Sequence, residues 1–507
     1  MRLNIIFGGK AGQGPNFLSE IVANGLIEHG YYVFYSRDYQ SLIRGGHNFN
    51  ALTVSDKEVY SNDSKVNLLV CLDENTKNMH KDSLAKKGII IDFVNGKGNM
   101  YYAGAVFKLL GVDFKILENS LDKLKNFNEN IRDAREGFNK EKRNNFALKK
   151  FEKKNLSFMN GSQAIAKGAI KSGLEYYYAY PMTPATPLMM ELGQMTLDKS
   201  NKHKVIEMEN EISVILTAIG SSSVGGISMV GTSGGGFDLM TESLSMAGMT
   251  EIPIVIYLSS RPGPSTGVAT YTSQADLNLA LKAGHGEFSR VVIAPGTPDE
   301  AIEATNNCFY LSQEFRIPCI LLGDKHLGEA KNMTNEDAKL LEFNKAIINP
   351  ERFNSYESDK TRDNIATEDA KVTIKNFEAR MKKHAEIEKE CSKFERIKIY
   401  VNKNSKNLIL GWGSTKGAIL DALAEGKIDA KFVQVIFMEP FPAKELKNEI
   451  KKAKKVVLVE NNATGQLAGL IAEKTGFIIE DKNKILRYDG RPFFADELAD
   501  EIRRRLK

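Results

Sequence analysis

The sequence predicts an α/β protein made of three successive α/β domains. Short apolar runs alternate with amphipathic stretches along most of the 507 residues, the pattern of strands and helices taken in turn. The length exceeds what one hydrophobic core ordinarily fills. Two highly charged stretches, near 121–157 and 331–405, interrupt the alternation and mark where one domain gives way to the next.

Residues 1–157 form the first domain with its linker. LNIIFGG, NALTVSD, VNLLVCLD and KGIIIDF read as strands, and NFLSEIVANGLIEHG as an amphipathic helix closed by Gly30. Residues 158–330 form the second. Asn160 with Gln163 has the form of a capping box opening the helix SQAIAKGAIKSG. LEYYYAY, KVIEME, ISMVG, IPIVIYLSS, RVVIAP and PCILLGD supply strands with helical segments between them. A parallel sheet covered on both faces is therefore expected. Residues 331–405 read as a charged, helical connector. Residues 406–507 return to strand–loop–helix through NLILGWGSTKGAILDAL, FVQVIFMEPFP and KVVLVENNATGQLAGLIAEKTG. No short-period repeat is present.

Composition narrows the function. Hydrophobic residues at 42% and charged residues at 26% describe a globular protein. No apolar run approaches the ~20 residues of a membrane span, and the opening MRLNIIFGGKAGQG lacks the form of a signal peptide. A cytoplasmic protein is expected, with no membrane partner. The net charge of +5 is scattered rather than blocked, so nucleic acid is not an expected partner either. Cys71, Cys308, Cys319 and Cys391 form no CxxC pair, and no metal site is expected on this chain. Iron–sulfur clusters, if the system uses them, belong on another chain.

Several loops carry chemistry. Gly8-Gly9-Lys10-Ala11-Gly12-Gln13-Gly14 lies between a strand and a helix, where backbone N–H groups can face an anion. It matches neither the dinucleotide nor the P-loop pattern, and a tight turn serves equally well. Arg44-Gly45-Gly46-His47-Asn48 joins a cation to an imidazole, for an anion, a facing subunit or a plain surface loop. In Tyr180-Pro181-Met182-Thr183-Pro184-Ala185-Thr186-Pro187, three prolines within seven residues stiffen a loop at the end of a buried strand. Open α/β sheets place ligands at that edge. Glu207, Glu209 and Glu211 follow at intervals of two. In a strand they share a face. With a helix starting near Asn210, Glu211 instead falls in its first turn, where a carboxylate suits the helix dipole. Gly231-Thr232-Ser233-Gly234-Gly235-Gly236 permits close approach of a ligand to the backbone. Arg261-Pro262-Gly263-Pro264-Ser265-Thr266-Gly267-Val268-Ala269-Thr270 places a guanidinium fork at a strand end, suited to a carboxylate or to a surface ion pair.

At these residues the chain resembles a known family. YPMTPATPLM, ENEISVILTAIGSS, TSGGGFDLMTESLSMAGMTEIPIVI and RPGPSTG together are similar to the alpha subunit of 2-oxoacid:ferredoxin oxidoreductases, in its 2-oxoglutarate-type branch. GGKAGQG and RGGHNFN resemble the family's gamma domain, fused in front. GWGSTKGAI and VVLVENNATGQLAG resemble its C-terminal, transketolase-like α/β domain. The resemblance covers nearly the whole chain and makes 158–330 a pyrimidine-binding-type thiamin domain.

The resemblance implies CoA-dependent oxidative decarboxylation of a 2-oxoacid on thiamin diphosphate, with electrons passing to ferredoxin. It implies a beta subunit that holds the diphosphate, Mg²⁺ and an iron–sulfur cluster, in a dimer of heterodimers. The chain has no GDG…N segment of the kind that binds Mg-diphosphate; Gly323-Asp324-Lys325 lacks its third glycine. By the same resemblance Glu211 and Thr183 are catalytic and touch the cofactor with Gly234 and Gly235. Glu211 engages the aminopyrimidine nitrogen and drives proton removal from thiazolium C2. Arg261, Thr270 and Tyr271 face the substrate. Relatives of the 2-oxoglutarate type carry a lysine where this chain has Tyr271, which leaves pyruvate, branched and aromatic 2-oxoacids as alternatives. A nucleotide-binding or scaffold subunit without catalysis is the contrasting reading, and it leaves YPMTP, ENE and RPGPSTG unexplained together.

Overall fold

The computed structural model describes residues 1–39, 46–122, 125–348 and 356–507. The chain forms two compact units, one of 1–159 with 330–335 and 494–499, the other of 160–329 with 336–493 and 500–507.

The first unit begins with β1 (Arg2–Lys10), α1 (Pro15–Glu28), β2 (Tyr32–Tyr39), β3 (His47–Ser55), β4 (Val66–Cys71), α2 (Glu74–His80) and β5 (Leu84–Ile91). Helices α3 (Asn99–Leu110), α4 (Phe114–Leu121) and α5 (Phe127–Lys140) follow, then β6 (Ser157–Asn160). Its sheet has seven strands in the order β5-β4-β1-β3-β2-β13-β6, where β13 is Lys331–Thr334. β1 pairs parallel with β4 and antiparallel with β3. Gly104 and Gly137 let α3 and α5 touch backbone to backbone: a methyl on either would overlap the carbonyl oxygen of Ala134 or Tyr101.

In the second unit, α6 (Gly161–Lys171) opens with the expected capping box between Asn160 and Gln163. Then come β7 (Tyr176–Ala179), α7 (Thr186–Met195), β8 (Lys204–Glu207), α8 (Glu211–Ser223), β9 (Ser228–Thr232), α9 (Gly234–Thr250) and β10 (Ile254–Ser260). α10 (Leu277–Lys282), β11 (Val291–Ile293), α11 (Pro298–Phe315), β12 (Pro318–Asp324) and α12 (Lys325–Glu329) complete the first part. The strands run parallel from β11 to β8 in the order β11-β12-β10-β9-β7-β8. Every residue of β9, β10 and β12 is buried, as a sheet covered on both faces requires.

The charged segment 331–405 is less helical than its composition suggests. Its first residues are β13; 336–348 holds neither helix nor strand; β14 (Ser358–Asp359) and β15 (Ile365–Ala366) make a small hairpin; among the described residues only α13 (Ala370–Cys391) is a long helix. β16 (Ile397–Val401), β17 (Asn407–Trp412), α14 (Thr415–Glu425), β18 (Lys431–Val435), β19 (Phe437–Glu439), α15 (Ala443–Lys452), β20 (Lys455–Glu460), α16 (Gln466–Thr475) and β21 (Lys484–Leu486) follow.

They build a second sheet, β16-β18-β17-β20-β21. FVQVIFMEPFP holds two strands that part at Ile436. β18 stays in this sheet and β19 pairs antiparallel with β11 of the other. The two sheets share one apolar cluster that includes Val230, Ile256, Ile320, Leu410, Val433 and Leu458. A buried ion pair reinforces it: Lys416 Nζ lies 2.8 Å from Glu300, which also accepts from Gln434 Nε2 at 2.8 Å. Burial alone would raise the Glu300 carboxyl, but Lys416 and Lys398 hold it down at about 2.

Candidate functional site

Four loops leave the second unit's parallel sheet at one edge. Ala179 stands beside Glu207 on one side and Gly231 on the other, and Gly231 beside Tyr257. Because the strands are parallel, the segments after β7, β8, β9 and β10 all emerge at their carboxyl ends. Thr183, Glu211, Gly234 to Gly236, and Arg261 lie on those segments.

Thr183 and Arg261 meet directly. The Arg261 Nη1 donates to the Thr183 carbonyl oxygen at 2.5 Å. Both loops contain a cis peptide bond, Thr183–Pro184 and Gly263–Pro264. Arg261 is 9% exposed and its Nε has no hydrogen-bond partner. Burial lowers the guanidinium pKa, opposed by the charges of Asp276 and Glu211.

The three glutamates separate in the structure. Glu207 ends β8 and is exposed; Glu209 is exposed and bonded to the Ser213 hydroxyl. Glu211 is the first residue of α8 and is 3% exposed. Asn210 is the N-cap, its side chain accepting from the Ser213 N–H at 2.9 Å. Glu211 Oε1 is buried without a partner. Its place is kept by a glycine: a Cβ on Gly236 would sit 2.6 Å from that oxygen. Gly234 is closed off in the same manner by Asp276, whose Oδ2 would lie 2.7 Å from an added Cβ. Burial raises the Asp276 carboxyl, opposed by a hydrogen bond from Ser260. Gly235 is open, its Cβ position meeting only the Ser265 carbonyl oxygen at 3.8 Å.

Thr270 and Tyr271 are half-buried on the return of the Arg261 segment. The Arg491 guanidinium stands 3.9 Å from the centroid of the Tyr271 ring. Gly490 wedges beside it: a Cβ there would be 3.1 Å from Tyr271 Cβ and 3.6 Å from Pro262 Cγ. A cation from the second sheet's last loop thus reaches the segment that starts at Arg261.

Sequence reading took Gly236 only as one of three glycines near a ligand, and it did not single out Asp276 or Arg491. Gly236 was visible as the third glycine of a run. Asp276 and Arg491 carry no motif, because their contacts join distant parts of the chain.

In the first unit, the glycine loop closes on itself. Gln13 accepts the Lys10 N–H at 2.7 Å and donates its own N–H to Lys10 O at 3.1 Å; Gly14 caps α1 with φ of 75°. Arg44 and Gly45 lie outside the described residues. His47 Nε2 is 2.7 Å from His80 Nε2, and burial together with His47 pushes His80 down to about 4. All four cysteines are free and buried. Among the described residues no His, Cys, Asp or Glu cluster is arranged for a metal ion, and no helix is long and apolar enough to cross a membrane.

The buried carboxylate oxygen of Glu211, with no protein donor and held against a glycine, offers an acceptor to a ligand nitrogen. Residues 167–397 match the family described as "Pyruvate flavodoxin/ferredoxin oxidoreductase, thiamine diP-bdg", and residues 4–97 match "Pyruvate ferredoxin/flavodoxin oxidoreductase". The alpha subunit of a 2-oxoacid:ferredoxin oxidoreductase from Sulfolobus sp is 29% identical over 99% of this chain and 96% of its own. The 2-oxoglutarate synthase subunit KorA of Methanocaldococcus jannaschii is 31% identical over 61% of this chain and 88% of its own. The fold matches a 2-oxoglutarate:ferredoxin oxidoreductase from Magnetococcus marinus, solved with 2-oxoglutarate, coenzyme A and succinyl-CoA bound, with a TM-score of 0.88 over 100% of both chains at 22% identity. With a matching thiamin-diphosphate-binding family model and relatives along its whole length, the chain belongs to the 2-oxoacid:ferredoxin oxidoreductase alpha-subunit family, as one component of a multisubunit oxidoreductase.

Proposed function

We propose that this chain, with a beta subunit, catalyses the CoA-dependent oxidative decarboxylation of a 2-oxoacid, 2-oxoglutarate first, in the cytoplasm. CO2 leaves, the acyl group passes to CoA, and the two electrons released go to ferredoxin. The domains are assigned as gamma-type (1–157), pyrimidine-binding (158–330), connector (331–405) and C-terminal α/β (406–507). The observation that carries the reading is the buried, unpartnered Glu211 oxygen at the same sheet edge as the Arg261–Thr183 pair.

Thiamin diphosphate, when bound, supplies the electron sink for decarboxylation. Glu211 accepts a hydrogen bond from its ring and so governs a proton there. Gly236 leaves room for the Glu211 carboxylate, and Gly234 leaves room for that of Asp276. Arg261 pairs with the 2-oxoacid carboxylate while its bond to Thr183 fixes the direction of the guanidinium. Thr270 lies between Arg261 and Tyr271 on the substrate segment.

The dicarboxylate preference draws support from Arg491. The cation that relatives place after Thr270 is absent from position 271, but the Arg491 guanidinium over Tyr271 restores one there. A beta subunit is supported by the apolar surface beside the site. Ile212 and Leu216, one turn apart on α8, are 47% and 42% exposed, and Leu239 on α9 is 50% exposed. The beta subunit is expected to hold Mg²⁺ and an iron–sulfur cluster, in a dimer of heterodimers.

The test is substrate selectivity of the assembled enzyme. Arg491→Leu should raise KM for 2-oxoglutarate by roughly 10- to 150-fold, the worth of one charge-assisted hydrogen bond of about 1.5–3 kcal/mol. KM for pyruvate should change less than twofold. Equal changes for both substrates would refute the dicarboxylate reading.

A further inference from the structure

The segment from Arg261 to Asp276 is turned by its own bonds, Val268 N–H to Pro262 O at 3.0 Å and Tyr271 N–H to Val268 O at 3.1 Å, and is anchored from outside beyond them. Residues 263–268 are exposed, and the return from 271 onward is fastened to the second sheet of the same unit. Gln274 is the central fastener and is 1% exposed. Its N–H donates to Asn461 O at 2.7 Å, its Nε2 donates to Trp412 O at 2.8 Å, and its Oε1 accepts the Asn461 N–H at 2.9 Å. Asn462 Nδ2 donates to Gln274 O at 3.0 Å. Gln466 straps the next turn, donating to Ala275 O at 2.6 Å and accepting the Asn278 N–H at 2.9 Å.

Three parts of this clasp, Trp412, Asn462 and the start of α16, meet at one carboxylate. Glu460, at the end of β20, is 0% exposed. It accepts from Trp412 Nε1 at 3.1 Å, Asn462 Nδ2 at 2.7 Å and the Leu467 N–H at 2.9 Å. Those donors belong to the residue whose carbonyl takes Gln274, to the residue that donates to Gln274, and to the helix that begins with Gln466. We propose that Glu460 is a positioning residue: through Trp412, Asn462 and α16 it sets the clasp on Gln274 and hence the placement of the substrate segment carrying Arg261, Thr270 and Tyr271. The proposal rests on the functional reading above only for what the segment binds.

All three groups around the carboxylate are N–H donors, so the charged form makes the tighter clasp. Burial opposes that charge and raises the carboxyl to about 7, against the Leu467, Asn462 and Trp412 bonds and the Lys484 cation on β21. The clasp should therefore tighten as pH rises through neutrality. Glu460→Gln is a fitting probe, since the amide oxygen can take the three bonds made by Oε1 while remaining neutral.

Trp412 is the sole tryptophan of the chain, so its emission reports the carboxylate it touches. In the full-length chain, Trp412 emission should titrate between pH 6 and 8, and Glu460→Gln should abolish that titration. Hydrogen exchange of 272–278 at pH 8 should speed at least fivefold in Glu460→Gln. In the complex with the beta subunit, KM for the 2-oxoacid should fall roughly three- to tenfold from pH 6 to 8, the gain from neutral to charge-assisted bonding. Glu460→Gln should keep the acidic KM at both pH values with kcat within twofold. Gln274→Ala should raise KM likewise without a pH trend. An emission titration that survives in Glu460→Gln, unchanged exchange at 272–278, or a fall in kcat with KM constant would each overturn the proposal. A wild-type complex inert to every 2-oxoacid would count against the functional reading instead, and the emission and exchange results would still decide the clasp.

Discussion

Replacing Gly236 by alanine moves the key carboxylate without removing it. The added methyl would fall 2.6 Å from Glu211 Oε1 and closer still to Thr232 Oγ1. Both neighbours are buried, Thr232 at 0% exposure and Glu211 at 3%. Overpacking of this kind costs about 1–3 kcal/mol. Against it stands a gain of about 1 kcal/mol from exchanging glycine for alanine inside a helix. The global stability change should therefore be small, between neutral and about 2 kcal/mol unfavourable. The displaced carboxylate no longer faces the ligand, so cofactor affinity should carry the larger part, a loss of roughly 5- to 150-fold for 1–3 kcal/mol. Gly469→Ala, at an exposed position of α16 with nothing within 4 Å of an added Cβ, is the control. It should gain helix stability and keep affinity within twofold. The assay is thiamin diphosphate binding by calorimetry on the assembled complex, with thermal melts of the same samples. Equal affinity losses in the two variants, or none in Gly236→Ala, would refute the placement of Glu211 at the cofactor.

Other outcomes follow from the same geometry. Glu211→Gln should leave thiamin diphosphate bound while the exchange of its C2 proton, followed by NMR in deuterated buffer, slows by orders of magnitude. Arg261→Ala should lower kcat/KM for every 2-oxoacid by roughly 10- to 150-fold, as loss of a charge-assisted pair of about 1.5–3 kcal/mol dictates. Lys416→Met should destabilise the second unit by about 3–5 kcal/mol in urea titrations, because it strands the buried Glu300 charge. His80 is held near 4, below the ordinary histidine value of about 6.5. Its neutral form therefore contributes stability that is complete above pH 6.5 and lost as pH falls toward 4, and His80→Asn should flatten the acid limb of the unfolding curve.

Local patterns were legible in the sequence where a single segment decides its own structure. Asn160 and Gln163 announce a capping box, and the continuous apolar runs of β9, β10 and β12 announce a sheet buried on both faces. The proline-stiffened loop and the arginine after β10 pointed to one sheet edge, and the structure joins Thr183 to Arg261 there. The spacing of Glu207, Glu209 and Glu211 left two arrangements open; the N-cap at Asn210 decides between them by starting the helix. What the sequence hid depends on long-range packing. Nothing local in FVQVIFMEPFP shows that β19, after Ile436, pairs with the edge of the other sheet. The pattern of 331–405 suggested a mostly helical connector, yet 331–334 is strand, paired with β2. Arg491 reaches Tyr271 only because the last loop of the second sheet folds over Gly490.

The most direct measurement is reduction of a viologen dye by the chain co-expressed with its beta subunit, supplied with CoA, thiamin diphosphate, Mg²⁺ and a panel of 2-oxoacids. The account predicts CoA-dependent reduction, fastest with 2-oxoglutarate, lost in Glu211→Gln and absent from the single chain. Sustained reduction by the single chain, or a Glu211→Gln complex as active as wild type, would contradict it.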